Sequence, residues 1–168
     1  GATRETVAVG QIVAGAMLRV RHEAQSQKVT LRREVPDQGL AASADPLQIQ
    51  QVLVNLLRNA IEAMGDTRPA DRRVVVQARR VDDVVQLSVS DNGSGQSDAE
   101  LPKMFEPFFT TKPQGLGMGL AISKTIIEDH GGRIWAEANQ SCGLTVHFTL
   151  PAGKDKPQDV PEQNGVRD

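Results

Sequence analysis

Residues 45–65 have the sequence DPLQIQQVLVNLLRNAIEAMG, and this stretch decides the fold. Asp45 can cap the first turn of a helix, Pro46 suits the first helical position, and Gly65 marks the end. Apolar residues recur between these signals at intervals of three and four, namely Val52, Leu53, Leu56, Leu57, Ala60, Ile61 and Met64. The pattern predicts an amphipathic helix from Asp45 to Met64.

Two carboxamides lie at the margin of this apolar stripe. Asn55 and Asn59 are four residues apart and therefore share one face of the helix. A polar side chain in such a place costs free energy unless it has a polar partner. The helix alone leaves two interpretations open: two satisfied polar groups at the boundary of a core, or two groups that meet a polar ligand.

Length and composition bound the class of protein. A chain of 168 residues with 39% hydrophobic and 24% charged residues is expected to form one soluble domain with a real core. The net charge of −2 indicates neither a nucleic-acid-binding protein nor direct contact with a membrane. The single cysteine, Cys142, excludes an internal disulfide framework. With no apolar run that could span a bilayer, we expect a cytoplasmic location for this chain, whereas its parent protein could be membrane-anchored.

The remaining chain alternates between helical and strand patterns. The first element is predicted as a helix from Thr3 to Gln27, and Asp82-Asp83 between two strands predicts a hairpin. The other predicted elements are strands at Val29–Val35, Arg73–Val81, Val84–Ser90, Arg133–Ala138 and Leu144–Leu150, a helical turn near Asp98–Lys103 and a helix at Gly117–Asp129. Residues 152–168 have the composition of a disordered tail, which leaves a folded domain at residues 1–151.

A second polar signal is Asp91-Asn92-Gly93-Ser94-Gly95, which directly follows the strand predicted at Val84–Ser90. The alternation of the strand places Asp91 on the core side, where a buried carboxylate needs a donor such as the amino group of adenine. Gly93 and Gly95 remove side chains where a flat ring would lie against the backbone. An ordinary polar turn capped by Asp91 explains the same five residues equally well.

A third signal comes at the end of a long loop, in Gly115-Leu116-Gly117-Met118-Gly119-Leu120. Alternating glycines before a helix let backbone N–H groups converge on an anion. The motif is not a dinucleotide-binding fingerprint, because no strand precedes it, nor a Walker A loop, because no Gly-Lys-Ser/Thr follows. Three phenylalanines and Lys112 precede it in Met104-Phe105-Glu106-Pro107-Phe108-Phe109-Thr110-Thr111-Lys112, a cluster suited to pinning a lid or to filling a small satellite core.

The order and spacing of these signals resemble the N box, first glycine box, F box and second glycine box of sensor histidine kinase ATP-binding domains. These domains belong to the Bergerat-fold superfamily, which also holds gyrase B, the Hsp90 chaperones and the MutL proteins. The resemblance extends from about Thr3 to Pro151. The segments Phe105–Lys112, Ile126–Glu137 and Phe148–Pro151 look most like the FixL-like and NtrB-like kinases. The resemblance implies a two-layer α/β sandwich, in which helices cover one face of a mixed sheet and a mobile lid closes over ATP.

The resemblance also implies roles for individual residues around the phosphates. Asn59 would ligate the Mg²⁺ that bridges the ATP phosphates, Asn55 would contact the phosphates or a metal-bound water, and Lys112 would approach the terminal phosphates. On this basis Asn55, Asn59 and Lys112 are the candidate catalytic residues. The triphosphate would be wrapped by the backbone of Gly115, Leu116, Gly117, Met118, Gly119 and Leu120.

Adenine recognition is implied for a second set of residues. Asp91 would accept a hydrogen bond from the adenine amino group, Gly93 and Gly95 would make room for the ring, and Ala63 belongs to the same nucleotide-binding set. One departure stands out, because the family commonly has threonine where this chain has Leu144. Strand alternation keeps Leu144 on the core face, so the missing hydroxyl is not supplied by Thr145.

Asn55 separates two activities within the superfamily. The ATP-hydrolysing members carry a glutamate at this position, where it serves as a general base toward water. A carboxamide cannot accept a proton, so the γ-phosphate is expected to be kept for another acceptor. No histidine of this chain fits the acceptor: His22 is expected to be a solvated helical residue, His130 to be partly protonated at a helix C-terminus, and His147 to lie on a strand.

The resemblance implies the catalytic ATP-binding domain of a two-component sensor histidine kinase, which binds ATP and Mg²⁺. Its partners would be the dimerisation domain that carries the phosphoacceptor histidine, in the same parent kinase, and the receiver domain of a response regulator. The first helix would partly link to that dimerisation domain, and this chain would be monomeric within a homodimeric parent. Two alternatives remain: a serine kinase of the anti-sigma-factor type, and a degenerate nucleotide-binding interaction module.

Overall fold

The computed structural model describes residues 3–36, 38–95, 99–107 and 119–153. Three helices and seven strands follow one another along the described chain, with single 3-10 turns at Pro69–Asp71 and Leu101–Lys103. The elements are β1 (Glu5–Ala8), α1 (Val9–Ser26), β2 (Thr30–Glu34), β3 (Ala41–Ala44), α2 (Pro46–Glu62), β4 (Arg73–Val81), β5 (Val84–Asp91), α3 (Gly119–Asp129), β6 (Ile134–Ala138) and β7 (Leu144–Pro151).

The main sheet has five strands in the order β2-β4-β5-β7-β6. The β2 strand runs parallel to β4, and the other neighbours are antiparallel, so the sheet is mixed as predicted. The β4 and β5 strands form the predicted hairpin, with Asp82 in the left-handed region at φ +56°. This topology places the end of β5 beside the start of β7, where Ser90 lies opposite Thr145.

Helices cover one face of this sheet. The α2 helix contacts β4 and β5, α3 contacts β6 and β7, and α1 contacts α2 and β2. The core between the layers includes several side chains with at most 1% exposure, among them Ile49, Leu53, Leu57, Leu87, Ile127, Phe148 and Leu150. The opposite face of the sheet carries polar side chains such as Gln86, Ser88 and His147. The predicted two-layer α/β sandwich is confirmed.

The structure confirms the predicted start of the α2 helix. The Oδ1 atom of Asp45 accepts hydrogen bonds from the backbone N–H groups of Leu47 (3.1 Å) and Gln48 (3.4 Å), and Pro46 is the first helical residue. These bonds satisfy donors that the helix leaves unpaired at its start. The helix ends at Glu62 with Ala63 as its C-cap, so it stops two residues before the predicted end at Met64.

The first predicted helix is too long at its start, and two short strands were missed. Residues 5–8 form β1, which pairs antiparallel with β3, and α1 begins only at Val9. The helical spacing of Val9, Ile12 and Val13 predicts the body of α1 but not its start, because residues 5–8 pair with a strand that lies about 35 residues away. Neither strand offers a local signal, because each has only four residues and β3 reads Ala-Ala-Ser-Ala.

The predicted start of the tail is also wrong by two residues. Ala152 forms a bridge with Ala42, and the backbone N–H of Gly153 donates to the carbonyl oxygen of Ala41 at 2.8 Å. The fold therefore includes residues 152 and 153, and the rest of the predicted tail lies outside the described residues. Within the described part of the chain, no helix combines the length and apolar character needed to cross a bilayer.

Candidate nucleotide-binding site

The end of α2 meets the end of β5 through direct backbone contact. The backbone N–H of Ser94 donates to the carbonyl oxygen of Ala63, the C-cap of α2, at 3.3 Å. A Cβ on Gly93 would overlap that same carbonyl group, so only glycine allows this approach. The structure thus brings Ala63 and Gly93 into contact, and Gly93 has a packing role here.

Asp91 is buried at the last position of β5, on the core side as predicted, with 8% of its surface exposed. Its Oδ1 atom accepts from the backbone N–H of Gly93 (2.9 Å) and of Leu144 (3.4 Å). Among the described residues, Gly93 and Leu144 bond Oδ1, and none donates to Oδ2. Burial raises the pKa of the Asp91 carboxyl, while the two amide donors act in the opposite direction.

The turn between β6 and β7 closes over the backbone of Asp91. Gly143 lies in the left-handed region at φ +89°, and a Cβ there would overlap the Asp91 carbonyl group. Gly95 has φ +76°, and its Cβ would lie 3.3 Å from the Gly143 carbonyl oxygen. Glycines at both positions therefore bring two loops and the end of β5 within contact distance of one another.

Asn139 supports Asp91 and was not predicted from the sequence. Its Nδ2 atom donates to the Asp91 carbonyl oxygen at 2.9 Å, and its Oδ1 atom accepts from the Thr145 hydroxyl at 2.6 Å. The same hydroxyl lies 2.8 Å from the Ser90 hydroxyl. Only the position of Asn139 in a polar turn between two strands could have drawn notice, and many asparagines share that position.

These contacts bear on the missing hydroxyl at position 144, where this chain has leucine instead of threonine. Leu144 is buried on the core face, as its alternation predicted. The Thr145 hydroxyl is occupied by Asn139 and Ser90 on the opposite face of the sheet. Thr145 therefore does not replace a hydroxyl at position 144.

Asn55 and Asn59 are both half-buried on α2, among the buried residues Leu56, Leu57 and Ala60. Together with Ala63 they form a stripe of residues spaced by four along the helix. The stripe ends at the contact between Ala63 and Ser94. The structure therefore connects the two asparagines to Asp91 through one helix end and one loop.

The segment between the glycine clusters is described only in part. Met104 is buried and Phe105 packs partly buried against the core, in agreement with the predicted aromatic cluster, and the turn at Leu101–Lys103 agrees with the predicted helical turn. Gly119 and Leu120 are the first two residues of α3. The remaining predicted residues of this region lie outside the described residues, namely Phe108, Phe109, Lys112, Gly115, Leu116, Gly117 and Met118.

The histidines on α1 and on the sheet lie away from the asparagine stripe. His22 is exposed on α1, as predicted. His147 lies on the open face of the sheet, where its Nδ1 is 2.6 Å from the Ser88 hydroxyl and its Nε2 is 2.8 Å from Glu137. Among the described residues, no group of three or more His, Cys, Asp or Glu side chains could hold a metal ion.

His130 lies directly after the C-terminal end of α3, as predicted. Its ring is fully buried, its Nδ1 lies 2.8 Å from the Ile126 carbonyl oxygen, and its Nε2 lies 3.1 Å from the backbone nitrogen of Asp45. A backbone N–H can only donate, so Nε2 must be an unprotonated acceptor.

Comparison with known proteins identifies the family. The model of the histidine kinase-, DNA gyrase B-, and HSP90-like ATPase family matches residues 44–154. The sensor protein FixL of Bradyrhizobium diazoefficiens is 49% identical over 132 residues, which cover 79% of this chain and 26% of FixL. The C4-dicarboxylate transport sensor protein DctB of Rhizobium meliloti is 38% identical over 143 residues, covering 85% of this chain and 22% of DctB.

Solved structures agree in fold. The catalytic domain of the histidine kinase ThkA superposes with a TM-score of 0.79 and 32% identity, covering 89% of this chain and 95% of that one. ThkA in complex with the response regulator protein TrrA gives a TM-score of 0.76 and 29% identity, covering 89% of this chain and 42% of ThkA. This chain therefore belongs to the histidine kinase-, DNA gyrase B-, and HSP90-like ATPase family, as a catalytic ATP-binding domain of the sensor histidine kinase type.

Proposed function

We propose that this domain binds Mg-ATP and transfers the γ-phosphate to a histidine on a separate dimerisation domain, for relay to a response regulator. The observation that carries the proposal is the Asp91 carboxylate, which is buried at the end of β5 and held by backbone amides beside Gly93 and Gly95. A buried acceptor of this kind fits the amino group of adenine. The asparagine stripe of α2 leads from this point toward the place where the phosphates would lie.

Adenine recognition is assigned to one side of the site. Asp91 is held by the amides of Gly93 and Leu144, so its Oδ2 atom has a fixed direction. Asn139 holds the Asp91 backbone from the other side. Because the protein's own groups make these contacts, the acceptor has a fixed direction, and a fixed acceptor favours affinity.

The phosphate side is assigned to the asparagines, Lys112 and the second glycine motif. Carboxamide oxygens suit a hard cation, so Asn59, with Asn55 beside it, fits Mg²⁺ on the half-buried stripe. The ion, when bound, neutralises charge on the transferring phosphoryl group. We assign Lys112 to the terminal phosphates, and the backbone of Gly115, Leu116, Gly117, Met118, Gly119 and Leu120 to the triphosphate.

Transfer rather than hydrolysis follows from Asn55. This residue offers no carboxylate that could take a proton from an attacking water. The γ-phosphate would therefore persist until a histidine on the dimerisation domain reaches it. The protein's contribution to the reaction is mainly to position the triphosphate.

The proposed partners follow from the relatives. FixL and DctB are named as sensor proteins, and this chain spans about a quarter of the length of each. ThkA has been solved in complex with the response regulator protein TrrA. We infer a receiver domain as the final phosphate acceptor, a homodimeric cytoplasmic catalytic region in the parent kinase, and a monomeric state for this domain alone.

Labelled ATP tests the proposal directly. The domain is mixed with γ-labelled ATP, Mg²⁺ and the separately produced dimerisation domain of FixL, and the acceptor is then treated with acid or base. A phosphohistidine loses its label in acid and keeps it in base, which is the expected result. Acid-stable label on serine would instead support the serine kinase, and no ATP binding by calorimetry at millimolar ligand would support the degenerate module.

Exchange of Asp91 for asparagine is expected to weaken ATP binding by about 1–3 kcal/mol. The new carboxamide oxygen would still accept from Gly93 and Leu144, but an amide N–H would replace Oδ2 and face the adenine amino group as a second donor. Calorimetric titration of wild type and D91N with ATP and GTP measures the effect. D91N should also prefer ATP over GTP less than wild type does, since guanine presents a carbonyl there. Equal affinity of the wild type for both nucleotides would contradict the pairing.

The raised pKa of Asp91 predicts opposite pH dependences for stability and for nucleotide affinity. The folded state holds this proton more tightly than the unfolded state, so the contribution of Asp91 to stability is present at low pH and is lost as pH rises through its folded-state pKa. ATP affinity should change the other way and fall as the carboxylate becomes protonated. Urea unfolding and ATP titration from about pH 4 to about pH 7 measure both. In D91N the part of each dependence that comes from Asp91 should vanish, and a pH-independent difference between the two proteins would refute the assignment.

A further inference from the structure

One buried side chain joins the two helices that border the proposed site. His130 follows directly after α3 and is fully buried. Its Nδ1 bonds the carbonyl oxygen of Ile126 within α3, while its Nε2 accepts from the backbone N–H of Asp45, the N-cap of α2. The imidazole therefore connects the C-terminal end of α3 to the N-terminal end of α2.

Both ends of this connection are fixed to their own elements. The Asp45 carboxylate bonds the N–H groups of Leu47 and Gln48, so any displacement of Asp45 displaces the start of α2. At the other end, the backbone N–H of Gly132 donates to the Ile127 carbonyl oxygen, and a Cβ on Gly132 would overlap Thr149 of β7. His130 is thus held between a capped helix and the sheet.

Apolar packing also contributes to the contact between α2 and α3. Such packing is non-directional and constrains the register of two helices less than a hydrogen bond does. The α2 helix carries Asn55 and Asn59, and α3 begins with Gly119 and Leu120 of the second glycine motif. The relative position of these helices therefore sets the distance between the proposed metal-binding and triphosphate-binding groups.

We propose that His130 is a positioning residue for the nucleotide site, which acts through the hydrogen bond from the Asp45 backbone N–H to Nε2. The inference rests on the proposed function, since it concerns the same Mg-ATP site. His130 contacts neither substrate nor metal. Its effect is to hold α3 at one place against α2, so that both halves of the site meet the triphosphate together.

Substitution of His130 by asparagine or by glutamine tests the two hydrogen bonds of the ring one at a time. The amide group of asparagine reaches the place of Nδ1, so H130N keeps the bond to Ile126 and loses the bond to Asp45. The amide group of glutamine reaches the place of Nε2, so H130Q keeps an acceptor for the Asp45 N–H. The two variants differ by one methylene, and both replace a ring by a carboxamide.

We expect H130N to bind Mg-ATP about three- to tenfold more weakly than wild type, and H130Q to remain within about twofold. Calorimetry gives the affinities, the transfer assay gives KM for ATP and kcat, and thermal unfolding gives the melting temperatures. A purely structural role would lower the melting temperature of both variants and leave the ATP affinity of the folded protein unchanged. Equal ATP affinity of H130N, H130Q and wild type would overturn the inference.

A measurement on the wild-type protein keeps the test independent of how the variants fold. Coupling between two equilibria is reciprocal, so a hydrogen bond that favours ATP binding must itself be favoured by bound ATP. Hydrogen exchange of the Asp45 amide should therefore slow when Mg-ATP is added, by about the same factor as H130N loses in affinity. If wild type binds Mg-ATP and the Asp45 amide exchanges at an unchanged rate, the inference fails alone. If wild type does not bind Mg-ATP, the proposed function fails first.

Discussion

Replacing Asn59 with alanine is expected to abolish phosphotransfer, with a loss of about 100-fold or more. The carboxamide oxygen of Asn59 is the proposed protein ligand of Mg²⁺, and alanine offers no oxygen in its place. Without the ion, the charges of the β- and γ-phosphates are not neutralised as the phosphoryl group leaves. The rate of labelled phosphate transfer to the separate dimerisation domain, measured across a Mg²⁺ titration, shows the effect.

The loss should be specific to the metal site. Asn59 is half-buried beside Ala60, and alanine is the best helix former, so the helix of N59A is expected to form; thermal unfolding of N59A separates loss of the metal site from loss of folded protein. Gln51 provides a matched control, because it is an exposed carboxamide earlier on the same helix. Q51A should transfer phosphate at the wild-type rate. Full activity of N59A at saturating Mg²⁺ would refute the assignment of Asn59 as the ligand.

Replacing Gly143 with alanine is expected to cost about 3 kcal/mol or more of folding free energy. Two costs combine at this position: a left-handed backbone at φ +89°, and overlap of the new Cβ with the Asp91 carbonyl group. Relief of that overlap would push Asp91 away from the Leu144 amide, so ATP affinity should fall together with stability. Urea unfolding and ATP titration measure both effects.

Alanine substitutions at two other glycines distinguish the cost of the left-handed backbone from the cost of the steric overlap. Gly39 has φ +86°, and a Cβ added there would have no neighbour within 4 Å, so G39A should show the backbone cost alone, about 1 kcal/mol. Gly65 has neither a left-handed backbone nor a close neighbour, so G65A should be nearly neutral or slightly stabilising. Neither residue belongs to the proposed site, and both variants should keep wild-type ATP affinity. A G143A protein as stable as G65A would contradict the overlap.

The sequence predicted those features whose causes are local. Asp45 and Pro46 fix the start of α2 within one helical turn, and alternation along β5 fixes the side on which Asp91 lies. The mixed sheet followed from the family resemblance together with these patterns. Local signals and tertiary structure agree at each of these places, as expected for a minimally frustrated sequence.

The features that were missed depend on distant parts of the chain. The β1 and β3 strands exist because they pair with each other, and neither is long enough to show an alternation of its own. In the sequence, Asn139 is an ordinary polar turn residue. Its role is visible only in the fold, where β5 places the Asp91 carbonyl oxygen beside it. The hydrogen bond that His130 Nε2 accepts comes from an amide that lies 85 residues away in sequence. No pattern within a short window contains that information.

The small sheet of β1 and β3 joins two segments that lie near opposite ends of the described chain. The β1 strand joins the chain at one end of the domain to β3, and Ala152 and Gly153 join the other end to the same strand. The β3 strand then continues directly into Asp45 and α2. Residues 5–8 and residues 152–153 therefore meet at the four residues of β3, directly before the first turn of the helix that carries both asparagines. A displacement of either segment would reach the start of α2 through β3.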